Sequence, residues 1–366
     1  MPVAANLLAF LAGAAVSLSA AYLLVTRLER IGEWLGLSEG LLGVLAALAA
    51  DGPEITAAVT ALATHQNQVG AGVVIGSNVF NLAALLGLGA VVAGFIALHR
   101  RVILLGGAVG VWVAVACLVT VLGVIPAAAG LAVVLAALIP YVIVLGASRA
   151  RLARMPLPPG WREWLAAAVS EEEAELSEVI HPPHGRGKDV ALAAAALVVV
   201  VAASVTMERA ATTLGTHFGI PDIIIGGVVL AAVTSLPNSV AAVYLAARGR
   251  GAAMLSTTLN SNALNVTAGL LLPAAIVGLG PPSGESGLIA VWYVALTVIA
   301  LAFAYRDSGM SRASGVLIIG AYVVFLGAVL TVAHSAKPGL GATIVPLVIV
   351  VACSGAGLAR RRRRPR

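Results

Sequence analysis

Apolar residues run along this chain in long unbroken stretches, without the alternation of a half-buried strand or the polar face of a surface helix. Each stretch matches the ~20 residues a helix needs to cross a bilayer core about 30 Å thick. Eleven such segments are predicted: 4–26, 39–64, 70–97, 102–123, 125–147, 189–207, 222–247, 252–279, 287–305, 314–333 and 341–359. Barrel strands would alternate in hydropathy, so the expected fold class is an all-α polytopic membrane protein. The first segment has no positive leader and no clear cleavage site before the next span, and reads as retained. With the N-terminus outside, all of the 22 Lys and Arg except Arg209 and Lys337 fall on the inner side. The positive-inside rule therefore predicts an N-out, C-in chain in the inner or plasma membrane. The one long polar stretch, 148–188, separates five-span halves at 1–147 and 189–335. Residues 336–366 add an extra helix and a basic tail, Arg360 to Arg366, whose simplest role is to hold the C-terminus inside.

Composition narrows the classes further. Of 366 residues, 60% are apolar and 10% charged, against about 25% charged in a soluble domain. A soluble globular protein and a disordered chain are both excluded. Cys117 and Cys353 lie inside apolar runs, so neither a disulfide framework nor a Cys-based zinc site is expected. The net charge of +6 is a topology signal scattered between spans, and no nucleic-acid partner is expected. Within the polar stretch, Trp161 and Trp164 suit a membrane interface. The run Glu171-Glu172-Glu173-Ala174-Glu175 reads as a solvated helical linker rather than a cation site. His181 and His184, flanking a Pro pair, carry little weight as metal ligands.

An internal repeat is the strongest signal. Residues 38–81 lie over 222–265 at a constant offset and without gaps: Gly43 over Gly227, Pro53 over Pro237, Ala57-Ala58-Val59 over Ala241-Ala242-Val243, Ser77-Asn78 over Ser261-Asn262, and Asn81 over Asn265. Shared hydrophobicity does not make polar residues coincide. On the predicted topology the copies run in opposite directions. Inverted repeats with interrupted helices belong to secondary transporters and put the substrate near the midplane.

Each copy carries a proline at mid-span, Gly52-Pro53 in one and Leu236-Pro237 in the other. Proline removes a backbone N–H and clashes with the carbonyl four residues back, so both helices are expected to break there. One such proline is commonly a structural kink. Two at equivalent positions, each flanked by polar side chains, point to a binding site. Of 16 carboxylates, only Asp51 and Glu54 fall at mid-membrane depth; the others, Glu208 included, are placed in loops or at span ends. A charge at the bilayer centre costs at least about 2.5–3.5 kcal/mol, and no Lys, Arg or His shares that depth. A mobile cation is the partner that accounts for them. Thr234, Ser235 and Asn238 surround Pro237, while Ser77, Asn78, Asn81, Asn260, Ser261, Asn262 and Asn265 lie on the following spans. Asn78 and Asn262 suit helix packing as well as ligation; Asn81, Asn238 and Asn265 are assigned to the site. Hard oxygen ligands suit Na⁺ or Ca²⁺ over zinc or copper.

The stretches GPEITAAVTAL…GSNVFN and TSLPNSVAAVYLA…NSNALN resemble the two α-repeats of the sodium/calcium exchanger superfamily of cation/Ca²⁺ antiporters, over residues about 40–85 and 223–270. That family's repeat core reads G-[TS]-S-x-P-E followed by G-S-N-x-x-[ND]. The resemblance implies that Glu54 is the acidic ion ligand of the first repeat, with Ser77 and Asn81 on the next helix. In the second repeat it implies Thr234 and Ser235 as hydroxyl and carbonyl ligands, joined by Ser261 and Asn265. Two positions depart from the pattern. Asn238 stands where the family has Glu, and Ala50-Asp51 replaces a hydroxyl pair. The formal site charge still reaches −2, but all of it comes from one repeat. The implied activity is exchange of Ca²⁺ against Na⁺ or H⁺ by alternating access, with transported ions and no cofactor. A proton-coupled exporter of a monovalent cation is the alternative within transport, and a channel or a non-transporting scaffold the alternative outside it. No nucleophile–base pair appears at membrane depth, so an enzyme is not expected.

Overall fold

The computed structural model describes residues 2–37, 39–147, 149–177 and 187–333. The predicted eleventh segment, the basic tail and the His181–His184 motif lie outside the described residues. The described helices are α1 (Val3–Trp34), α2 (Glu39–Ala50), α3 (Gly52–Ala63), α4 (Asn67–Ala93), α5 (Arg100–Val121), α6 (Ala127–Leu145), α7 (Arg149–Leu152) and α8 (Pro159–Ser177). They continue with α9 (Gly187–Phe218), α10 (Asp222–Thr234), α11 (Leu236–Ala247), α12 (251–277), α13 (Gly284–Asp307) and α14 (Arg312–Ala333). Seven of these are long and apolar enough to cross a membrane, and nine spans result when α2–α3 and α10–α11 each count as one bent helix. The predicted eighth segment is present as α12, a continuous helical run. It is not among the nine, because Asn260, Asn262 and Asn265 dilute its apolar character.

The core sits on α4. Its apolar window is 89% buried, against 28% for α1 and 33% for α9, so α4 is central and the α1–α9 pair lies at the periphery. Leu8, Val198 and Ile276 are among the large side chains left exposed, as expected for surfaces that meet acyl chains. Glycine lets the centre close. A Cβ at Gly76 would stand 2.6 Å from the Gly227 Cα, and one at Gly72 would stand 2.8 Å from the Gly227 nitrogen. The backbones of α4 and α10 therefore touch directly.

Four boundaries differ from the hydropathy reading. α1 continues past residue 26 through Arg27 and Arg30 because both reach the buried Asp189 of α9, at 2.9 and 3.7 Å. α9 continues past residue 207 to Phe218, which moves Glu208 from a span end into a helix and buries it. The third segment stops at Ala93, where Gly94 takes a φ of +80°. Its last residues, Phe95–Ala97, instead form β1, antiparallel to β2 (Gly309–Ser311) with Ile96 opposite Met310. Finally, part of the polar stretch is packed against the spans. α8 packs on α2, α5 and α12, buries Ala168 and Val169, and ties Glu171 to Arg101 at 2.5 Å.

Candidate ion-binding site

Both prolines break their helices as expected. The axis turns by 55° between α2 and α3 and by 45° between α10 and α11. The residues at the two breaks adopt nearly the same backbone conformation: Asp51 has φ −78° and ψ −3°, and Ser235 has φ −82° and ψ 0°. Pro53 and Pro237 have no N–H to donate, so the carbonyls of Ala49 and Val233 lose their normal helical donors. A third irregularity accompanies them. The helical ladder widens to π geometry over Leu82–Leu88, just after Asn81, and over Asn265–Leu271, beginning at Asn265. Such widened turns cluster at functional sites.

The breaks bring most of the predicted polar residues into one buried, hydrogen-bonded cluster. Asp51, Glu54, Ser77, Asn81, Thr234, Ser235, Asn238, Ser261 and Asn265 are all buried. Glu54 accepts hydrogen bonds from Ser235 Oγ on one oxygen and from Asn265 Nδ2 on the other. Asp51 Oδ1 accepts from Asn238 Nδ2 at 2.7 Å and from Ser261 Oγ at 2.6 Å. Asn81 Nδ2 donates to Ser261 Oγ at 3.3 Å and to Asn262 Oδ1 at 3.1 Å. Each carboxylate of the first repeat is thus held by side chains of the second, a pairing sequence spacing alone does not give.

Ser77 and Thr234 behave differently. Their hydroxyls donate to carbonyls one turn back, Ser77 to Val73 at 2.5 Å and Thr234 to Leu230 at 2.8 Å. Neither bonds a carboxylate, although both lie in the cluster's helices. Asn260 turns to Ser256 at 3.1 Å. Asn78 and Asn262 pack α4 against α12 with their amide nitrogens, while their side-chain oxygens accept from Asn265 at 3.4 Å and Asn81 at 3.1 Å. Asn78 Nδ2 donates to the Asn262 carbonyl at 3.0 Å, and Asn262 Nδ2 returns the bond to the Asn78 carbonyl at 3.2 Å. This clasp joins α4 to α12. Tyr293 of α13 meets the Asn78 side chain from behind; its hydroxyl had no signal in an otherwise apolar segment.

What the cluster lacks defines its chemistry. Among the described residues no Lys, Arg or His pairs with Asp51 or Glu54. Three buried acceptors, Asp51 Oδ2, Asn81 Oδ1 and Asn265 Oδ1, have no donor. Such oxygens are costly to bury unless something positive meets them. No three His, Cys, Asp or Glu side chains converge among the described residues. The set is two carboxylates with amide and hydroxyl oxygens, which suits a hard cation.

An apolar helical bundle in which two broken helices meet at buried oxygens is the build of a membrane transporter. The chain belongs to the family described as sodium/calcium exchanger protein, whose model matches residues 5–148 and 188–331. Sodium/potassium/calcium exchanger 2 of Gallus gallus is 34% identical over 121 residues, covering 31% of this chain and 19% of that protein. Sodium/potassium/calcium exchanger 3 of Homo sapiens is 36% identical over 86 residues, covering 24% of this chain and 13% of that protein. The matched region thus spans a fifth or less of these relatives. Among solved structures, the H⁺/Ca²⁺ exchanger CAX superposes with a TM-score of 0.71 at 15% identity, over 98% of this chain and 88% of its own. The sodium-calcium exchanger NCX_Mj, soaked with Na⁺ and Sr²⁺, gives 0.56 at 18% identity, over 89% and 99%. At these identities the likeness establishes the fold.

Proposed function

We propose that the protein is a secondary-active antiporter that exchanges Ca²⁺ against Na⁺ or H⁺ by alternating access, and that the transported cation binds between Asp51 and Glu54. The observation that carries this reading is the trio of donorless buried oxygens on Asp51, Asn81 and Asn265 beside two carboxylates without a basic partner. Asp51 and Glu54 supply the charge, and Ser77, Asn81, Thr234, Ser235, Asn238, Ser261 and Asn265 complete the shell. Gly52, Pro53 and Pro237 open the main chain so that carbonyls join it. Family membership supports cation/Ca²⁺ exchange as the class of reaction, and the named activities of CAX and NCX_Mj are consistent with either counter-ion.

The remaining architecture follows from the same reading. Two five-helix halves, 1–147 and 189–335, are inverted repeats around the cytoplasmic stretch 148–188, N-out and C-in in the cell membrane, with 336–366 as an added span. One observation favours a second reading, proton-coupled export of a monovalent cation. Both Glu54 oxygens are already engaged, which leaves one free carboxylate oxygen in the site. Everted vesicles holding a Ca²⁺ indicator decide between them. Under an imposed Na⁺ or H⁺ gradient the wild type accumulates Ca²⁺, and Glu54→Gln abolishes uptake. Gln can accept from Asn265 and donate to Ser235, so the fold persists while the charge is lost. Ca²⁺ uptake indifferent to Glu54→Gln would refute the assignment.

A further inference from the structure

We propose that Asn78 and Asn262 are positioning residues for the ion: their clasp turns the amides of Asn81 and Asn265 so that each presents oxygen, not nitrogen, to the cation. The inference deepens the antiport reading above and rests on it. Two main-chain carbonyls fix the orientation of all four amides. A carbonyl only accepts, so the Asn78 amide turns its nitrogen to the Asn262 carbonyl at 3.0 Å, and the Asn262 amide its nitrogen to the Asn78 carbonyl at 3.2 Å. Both side-chain oxygens are then left at the far ends of their amides, where they can only accept. Asn262 Oδ1 accepts from Asn81 Nδ2 at 3.1 Å, and Asn78 Oδ1 accepts from Asn265 Nδ2 at 3.4 Å. The nitrogens of Asn81 and Asn265 are thereby committed to protein, and their oxygens are two of the buried acceptors left without a donor.

The same arrangement occurs twice, with the partners exchanged. Asn78 and Asn81 of the first repeat correspond to Asn262 and Asn265 of the second. Each oriented amide reaches across to the opposite repeat and finds two acceptors there. One is a proposed ion ligand: Ser261 Oγ for Asn81, at 3.3 Å, and a carboxylate oxygen of Glu54 for Asn265. The other is the clasp oxygen, Asn262 Oδ1 or Asn78 Oδ1. When a cation draws the ligand oxygen to itself, the clasp oxygen is the acceptor that remains to hold the nitrogen. Rotating the Asn81 amide by half a turn would set its oxygen against Asn262 Oδ1 and aim its NH₂ at the ion. All four side chains are buried, so such mismatches are costly. Groups that orient a metal's ligands commonly matter 10–100-fold for its affinity.

The crossed pairing supplies the test. Equilibrium ⁴⁵Ca²⁺ binding to the full chain in detergent is measured for Asn78→Leu, which keeps the shape but offers no oxygen. The change is made alone and together with Asn265→Ala or Asn81→Ala, each of which removes one neutral ligand and keeps both carboxylates. Asn78→Leu alone is expected to weaken Ca²⁺ binding about tenfold. On Asn265→Ala it is expected to do little more, since the amide it orients is gone, whereas on Asn81→Ala the tenfold loss should remain. Asn262→Leu is expected to give the mirror result, silent on Asn81→Ala and effective on Asn265→Ala, and it carries the comparison if Asn78→Leu does not fold. Residues that only pack α4 against α12 would weaken binding equally in both backgrounds. That outcome, or no weakening by either Leu variant, overturns the proposal. A wild type that binds no Ca²⁺ refutes the antiport reading and this inference with it, whereas Ca²⁺ binding with an additive cycle overturns the clasp's role alone.

Discussion

Replacing Asp51 by Asn separates what this side chain does for the fold from what it does for the ion. Asn is the same shape, and its Oδ1 keeps both bonds that Asp51 Oδ1 receives, 2.7 Å from Asn238 and 2.6 Å from Ser261. The donorless Oδ2 becomes an NH₂, and the repulsion between two neighbouring buried carboxylates disappears. In cation-free buffer Asp51→Asn is therefore expected to be at least as stable as wild type. With the ion the sign reverses. Removing one partner of a buried charge pair costs about 3–5 kcal/mol, and every ~1.4 kcal/mol is tenfold in affinity. Ca²⁺ affinity should fall by at least about a hundredfold. A ligand at about 100 times its dissociation constant stabilises a protein by about 2.7 kcal/mol, so a Ca²⁺ concentration that raises the wild-type Tm should leave the variant unmoved. Thermal unfolding in detergent, with and without Ca²⁺, reads both effects. A variant that is less stable without ion, or that keeps the wild-type Ca²⁺ response, would refute the assignment of Asp51.

Two further predictions rest on independent features. Asn238, which on the family resemblance stands where a second acid is expected, donates from Nδ2 to Asp51 Oδ1 at 2.7 Å. Asp51→Asn combined with Asn238→Glu moves the charge across to the second repeat without adding to the total, and is expected to recover Ca²⁺-dependent stabilisation that Asp51→Asn alone loses. The same thermal assay checks it, and no recovery would mean that position as well as charge matters. Gly76→Ala drives a methyl to 2.6 Å from the Gly227 Cα, where only backbone can yield. It should destabilise by about 1–3 kcal/mol, seen as a lower Tm with ion response intact; an unchanged Tm would show that α4 and α10 are not in backbone contact.

The helix breaks and most members of the buried polar cluster were legible because membrane sequences make polarity conspicuous. A proline, two acids and several amides inside apolar runs have few places to hide, and Pro53 and Pro237 both bend their helices. Which oxygens are engaged was not legible, because cross-repeat partners such as Ser235 for Glu54 depend on how two distant segments pack. Hydropathy also misjudged α9. It measures affinity for lipid, whereas the helix continues with Glu208 buried against protein and with Thr212 and Thr216 hydrogen-bonding one turn back. The β1–β2 pair had no signal, since three residues a side are fixed only by the approach of their partners.

The glycine contact between α4 and α10 carries a consequence for movement. Interlocked side chains act as teeth, and shifting one helix past another then demands new rotamers on both. Where Gly72 and Gly76 meet Gly226 and Gly227 there are no teeth to disengage. A shift of α10 along α4 would therefore ask for no new rotamer at these four positions, so at that contact the resistance to such a shift is backbone against backbone alone.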